Sequence, residues 1–223
     1  VGGDSLTVQI SVGADTQTLI TSPSAAKAYR CAENAPSQRV SQLIDVAENA
    51  HLEWLPQETI FYDGAKAEID NQVRLHSSSR FLGWEIQMLG RRASGEGFAR
   101  GIIDQSSRIW QGNKLCHRES LRVSGDHLGS AWGLNSASVL GTLVAIPKQG
   151  GQPSLEEAVS RVQTLLSGRS WGVTLRGSTL LVRYLGNSAE TCRQGFGQAR
   201  KLLVEDAIFN GSTKGYEPRI WKT

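Results

Sequence analysis

The chain has 223 residues, 39% of them apolar and 20% charged, and a formal charge of +3. That length holds one large β-rich domain, and charges this well mixed exclude a compositionally disordered chain. A charge of +3 with no Lys/Arg block gives no case for nucleic acid, and no apolar run nears the roughly 18 residues of a membrane span.

In chain order, Gly2-Gly3-Asp4 reads as a turn. Leu6, Val8 and Ile10 then alternate with polar residues and predict a half-buried strand over 5–12. A second strand covers 17–21, and the small residues of 22–26 break regularity. Strands are expected at 38–46 and 50–55. Leu52 to Ala65 then reads as two short strands divided at Pro56, which cannot sit in a central strand, with a turn at Asp63-Gly64. Further strands are expected at 67–75, 80–88, 95–104, 108–111 and 115–123, with a hairpin turn at Gly112-Asn113. No fixed repeat period is present, so a regular solenoid is not supported.

After Gly133 the pattern changes. Residues 139–146 form an almost wholly apolar strand, and Ser154 with Glu157 forms a capping box for a helix carrying Leu155, Val159, Val162 and Leu166 on one face. Strands at 171–176 and 179–186 flank a Gly177-Ser178 turn. Asn187 or Ser188 caps a second helix with a stripe of Cys192, Phe196, Ala199 and Leu203. The expected fold is mainly β, a sandwich, barrel or helical stack of strands, with two α-helices in a C-terminal α+β region. It reads as a single domain over 1–223, with a β-rich body at 1–135 and the α+β portion at 136–223.

The chemistry-bearing residues exclude more than they assert. Cys31, Cys116 and Cys192 are odd in number and far apart, which suits a reduced, cytoplasmic chain. His51, His76, His117 and His127 are isolated in sequence, and each is expected at the surface or in a turn. No zinc-ligand spacing, phosphate-binding loop or nucleophile elbow occurs, so no tightly bound cofactor or catalytic centre is predicted. What remains is a set of carboxylates in apolar or Gly-containing surroundings: Asp4, Glu53, Glu58, Glu85 and Glu96. Glu53 and Glu58 fit the polar face of a half-buried sheet. Glu85 fits a structural pair with Arg80, Arg91 or Arg92, and equally the lining of a passage for a cation held by hard oxygen ligands.

Leu52-Glu53-Trp54-Leu55-Pro56-Gln57-Glu58 followed by Ile60-Phe61-Tyr62-Asp63-Gly64-Ala65 closely resembles the signature of the urease accessory protein UreD (UreH) family. Other stretches match in the same order: residues 1–4, 18–21 with Lys27, Tyr29 and Arg30, then 81–85 with 89–91, 182–186 and 218–221. The segment 125–138 matches weakly. In that family the opening Val-Gly-Gly-Asp lies inside the domain, and the only methionine here is Met88, so N-terminal strands are expected to be missing.

The resemblance implies a two-layered β-superhelix or stacked-sheet body with two α-helices, and a urease-maturation chaperone without enzymatic activity. It would work with UreF-like and UreG-like proteins on apo-urease, with two copies in the assembly. It would handle nickel transiently, through an internal tunnel. Asp4 and Glu85 are the foremost candidates for tunnel lining, followed by Glu53 and Glu58. Lys27, Tyr29 and Arg30 are candidates for an ordered loop. The alternatives are a carboxylate-dependent hydrolase of β-rich fold using Glu53 and Glu58, and a plain binding module. Converging carboxylates in one open cleft would favour the hydrolase, and carboxylates strung along a passage would favour the conduit.

Overall fold

The computed structural model describes residues 1–150, 155–205 and 217–222. The first strands are β1 (Ser5–Val12), β2 (Gln17–Ile20), β3 (Ala26–Ala28), β4 (Gln38–Val46), β5 (His51–Trp54) and β6 (Thr59–Phe61). Four more follow: β7 (Lys66–Leu75), β8 (Arg80–Leu89), β9 (Ile102–Gln111) and β10 (Lys114–Ser124). β11 (Val139–Ile146), α1 (Leu155–Leu165), β12 (Trp171–Arg176), β13 (Thr179–Gly186) and α2 (Ala189–Glu205) complete the series.

Two sheets result. The outer sheet has the order β1-β4-β7-β9-β10, and the central sheet has the order β12-β13-β11-β8-β5-β2, with β6 also pairing β8 and β3 pairing β6. β1, β4, β7 and β9 pair in parallel, as do β2, β5 and β8, so the first half of the chain winds as a parallel superhelix. Its period was not legible because the coils are unequal. The register pairs Ser5 with Arg39, Gln38 with Ala67 and Lys66 with Ile102, which are 34, 29 and 36 residues apart.

The mainly β architecture with two helices is the expected one, and most strands fall within a residue or two of their predicted bounds. Two differences stand out. β3 forms in a stretch read as irregular, because parallel pairing with β6 supplies hydrogen bonds that local pattern does not reveal. The expected pair of strands at 95–104 and 108–111 is one strand, β9, and Gly95, Gly97 and Gly101 lie in the loop before it.

Three apolar clusters hold the layers. One lies between the central sheet and the helices, around Leu82, Trp84, Leu143, Val162 and Phe196. The other two lie around Ile44, Phe81 and Ile146, and around Phe61, Leu89 and Ile103. The predicted α2 stripe of Cys192, Phe196, Ala199 and Leu203 is completely buried. Burial of side chains as large as Phe196 and Leu203 contributes about 1.5–3 kcal/mol each. α2 starts where expected, with the Thr191 N–H donating to Ser188 Oγ at 3.1 Å. Ser154, the expected cap of α1, lies outside the described residues. α2 can approach β11 because residue 141 is glycine: a Cβ there would stand 2.3 Å from Cys192 Sγ. No described helix is long and apolar enough to cross a membrane.

Candidate functional site

Strand alternation sends residues 81, 83, 85, 87 and 89 of β8 toward the outer sheet, while Leu82, Trp84 and Ile86 face the helices. On the inward face Phe81 belongs to one inter-sheet cluster and Leu89 to the other, with Glu85 and Gln87 between them. The same order recurs on neighbouring strands. β7 carries Ala67, then Asn71, then Val73. β9 carries Ile103, then Gln105 and Ser107, then Ile109. Across the sandwich, Thr142 of β11 and Arg183 of β13 lie level with Glu119 of β10. A polar belt therefore divides two apolar cores. Burying so many polar groups is costly unless they are partnered, which asks for a reason beyond packing.

Most of the partners are amides. Asn71 Nδ2 donates to one oxygen of Glu85, Gln105 Nε2 donates to the other, and Gln87 Nε2 donates to Gln105 Oε1. Asn71 Nδ2 also reaches Ser107 Oγ at 3.2 Å. Among the described residues the partners of Glu85 are these amides and no cation. Of the expected cations, Arg91 binds Glu96 instead, Arg92 donates to the Ser136 carbonyl at 3.1 Å, and Arg80 lies on the opposite, helix-facing side of β8. Burial, with the negative charge of Glu119 adding to it against the Gln105 hydrogen bond, pushes the Glu85 carboxyl up to about 7. Glu119 is the opposite case. Burial would raise it, but His117 at 3.5 Å and Arg183 at 2.5 Å outweigh that and hold it at about 2.

The belt borders two cavities. One of about 50 Å³ touches Trp54, Phe81, Asn71 and His117, and the other, of about 330 Å³, touches Gln87, Gln105, Trp171 and Arg183. Glu85, Glu119 and Thr142 line both and so stand at the boundary between them, called the throat below. Among the described residues no three His, Cys, Asp or Glu side chains cluster closely enough to cage a metal ion.

The other expected site residues lie elsewhere. Asp4 is exposed and accepts from the Val1 amino group at 2.6 Å. Glu53 is fully buried on β5, paired with Arg200 of α2. Glu58 is half-buried before β6, and its backbone carbonyl accepts from the Ala26 N–H at 2.9 Å. Glu53, at 0% exposure against Arg200, faces no open cleft. Lys27 is exposed on β3, Tyr29 packs edge-on against Tyr62 at 4.9 Å, and Arg30 donates to the Asp63 carbonyl at 3.2 Å. Asp63 also accepts from the Ala99 and Arg100 amides at 2.8 and 2.9 Å, which ties these loops together.

Two histidines correct the expectation of surface positions. His51 is 1% exposed because it lies with Glu53 on the helix-facing side of β5, and His117 is 7% exposed because it sits at an inward position of β10; His76 is exposed in a turn as expected. Sequence reasoning found Glu85 but missed Glu119, His117, Asn71, Gln87, Gln105 and Arg183. A signal was present: a polar residue at inward parity with apolar residues two and four positions away, as in Ile103-x-Gln105-x-Ser107-x-Ile109.

The chain matches the family model described as UreD urease accessory protein over residues 1–222. It is 35% identical to a protein of Saccharophagus degradans named Urease accessory protein UreD, covering 99% of this chain and 75% of that one. Proteins of the same name from a Janthinobacterium species and from Dechloromonas aromatica are each 36% identical over the whole of this chain, which spans 74% and 76% of their lengths.

Proposed function

Because the chain belongs to the UreD urease accessory family, we propose that it is a cytoplasmic, non-catalytic scaffold that passes nickel toward apo-urease through the polar belt between its sheets. The observation that supports this reading is that Glu85, Glu119 and Thr142 line both cavities, which puts two carboxylates at the boundary between them. Nickel is the cargo here and not a resident cofactor.

The donor types suit transit. Carboxylate and amide oxygens hold a divalent ion less firmly than thiolate or imidazole cages, so an ion that enters can also leave. Negative charge is needed, since a bare dication in a low-dielectric interior would otherwise be excluded. Glu119 supplies a full charge. Glu85 is held in one orientation by the Asn71 and Gln105 amides. We assign the passage to Glu85 and Glu119, and we place Asp4, Glu53 and Glu58 outside it.

The scaffold role brings in UreF-like and UreG-like partners and apo-urease, with two copies of this chain in the assembly. A surface fit for docking is available on the loop between β10 and β11, where Trp132 is 95% exposed. Tryptophan is enriched among residues that dominate binding energy at interfaces. The direct test is co-expression of the urease structural proteins and the other accessory proteins with and without this chain. Nickel-dependent urease activity is expected only when the chain is present, and equal activity without it would refute the assignment.

A further inference from the structure

Arg183 stands at the throat without a part in the passage as described. Its Nη1 lies 2.5 Å from Glu119 Oε1 and donates to Thr142 Oγ1 at 3.2 Å. Arg183 borders only the larger cavity, whereas Glu119 and Thr142 border both. The guanidinium therefore sits on one side of the throat, against the more strongly ionised of the two carboxylates. A dication coming from the larger cavity meets this positive charge before it meets Glu119. Repulsion between like charges is strong where water is scarce.

Two further oxygens face the same belt unused. Asn71 Oδ1 and Gln87 Oε1 accept no hydrogen bond, and each residue is only 6% exposed. Buried amide oxygens are nearly always satisfied, so two orphans beside two carboxylates mark a place suited to a cation. Arg183 fills only part of that place, at Glu119.

We propose that Arg183 is the resident counter-cation of the passage: its guanidinium holds at Glu119 the position that a divalent ion takes in transit, and it must swing out for an ion to pass. This inference rests on the passage reading above and adds its regulation. The side chain of Arg183 is 43% exposed, so it has solvent to swing into. While it is bound, the throat carries too little free negative charge to retain a dication. Once it has left, Glu119, with Glu85 and the amide oxygens of the belt, offers hard oxygen donors to the ion. Its return would expel the ion, so the same residue keeps a conduit from becoming a trap.

The test is equilibrium dialysis of the full chain against nickel chloride. Wild type is expected to show no saturable site. Arg183→Met, which keeps the aliphatic bulk and removes the charge, is expected to hold one nickel ion per chain in a saturable site, with at least about tenfold more nickel bound than wild type at low free nickel. Adding Glu119→Gln should abolish that gain. Arg183→Gln serves as a second neutral variant, with circular dichroism and thermal unfolding confirming that each is folded. The proposal is overturned if neither neutral variant gains nickel, or if the gain survives Glu119→Gln. The passage reading fails separately, through nickel delivery by Glu85→Gln at the wild-type level. Dialysis reads binding alone, so the two failures are distinguishable.

Discussion

Glu53→Gln is expected to destabilise the fold by about 3–5 kcal/mol, the usual cost of removing one partner from a buried ion pair. Glu53 is 0% exposed in the middle of β5, and Arg200 of α2 is 6% exposed against it. Glutamine keeps the shape but not the charge, so the Arg200 guanidinium loses the carboxylate it is buried against. The damage should spread along α2 and into the segment after it, because the Arg200 guanidinium also lies 5.9 Å from the Trp221 ring centroid. Domains are typically stable by only about 5–15 kcal/mol, so this variant should be close to unfolding at physiological temperature. Urea unfolding measures the loss directly, and amide hydrogen exchange should rise first in α2. Replacing both partners, Glu53→Leu with Arg200→Met, should recover much of the stability, since an apolar pair of similar volume leaves neither charge buried. An unchanged unfolding midpoint together with lost nickel delivery would return Glu53 to the passage.

A second large effect concerns pH. Burial lowers His51 to about 4, with Arg80 and Arg200 pushing the same way and Glu53 opposing. Its unfolded value is about 6.5, so the folded state binds the proton less readily than the unfolded one. The contribution is therefore fully present above pH ~6.5 and is lost as pH falls through 6.5 toward 4, a total of roughly 3 kcal/mol. Carboxylates held low by their partners, Glu119 among them, lose their contributions mainly below the ordinary carboxylate range. Comparison of wild type with His51→Gln between pH 7 and 4 isolates the histidine. Wild type should lose stability more steeply over this window, by about one proton. Parallel curves would show that His51 is already able to charge within the fold.

The two sides of the molecule were unequally legible. The helix stripes and the β12–β13 hairpin could be read residue by residue, because each is specified by local spacing and a turn. α2 buries its four predicted residues completely for that reason. The parallel coils could not be read, since their strands pair across unequal connections of about thirty residues and no local pattern records the partner. The throat was half legible for the same reason. Glu85 drew notice as a lone acid in an aromatic stretch, whereas Glu119 lies among polar neighbours on β10 and looks ordinary until Arg183 and Thr142 arrive from the other sheet. Glu53 was singled out correctly as an acid that needs a reason, but the reason is a cation 147 residues away in sequence. Distant pairing, and not local chemistry, separates these two glutamates.

The measurement that bears most directly on the central claim is the nickel content of urease matured with Glu85→Gln or Glu119→Gln in place of the wild-type chain, with partner pull-down scored on the same preparations. Both variants are expected to capture the accessory partners and urease as wild type does, while nickel per urease falls at least about tenfold when nickel is scarce, because each change removes charge needed to admit a dication. Asp4→Asn, at an exposed position outside the belt, should leave nickel content unchanged. Urease fully loaded with nickel by both throat variants would contradict the account.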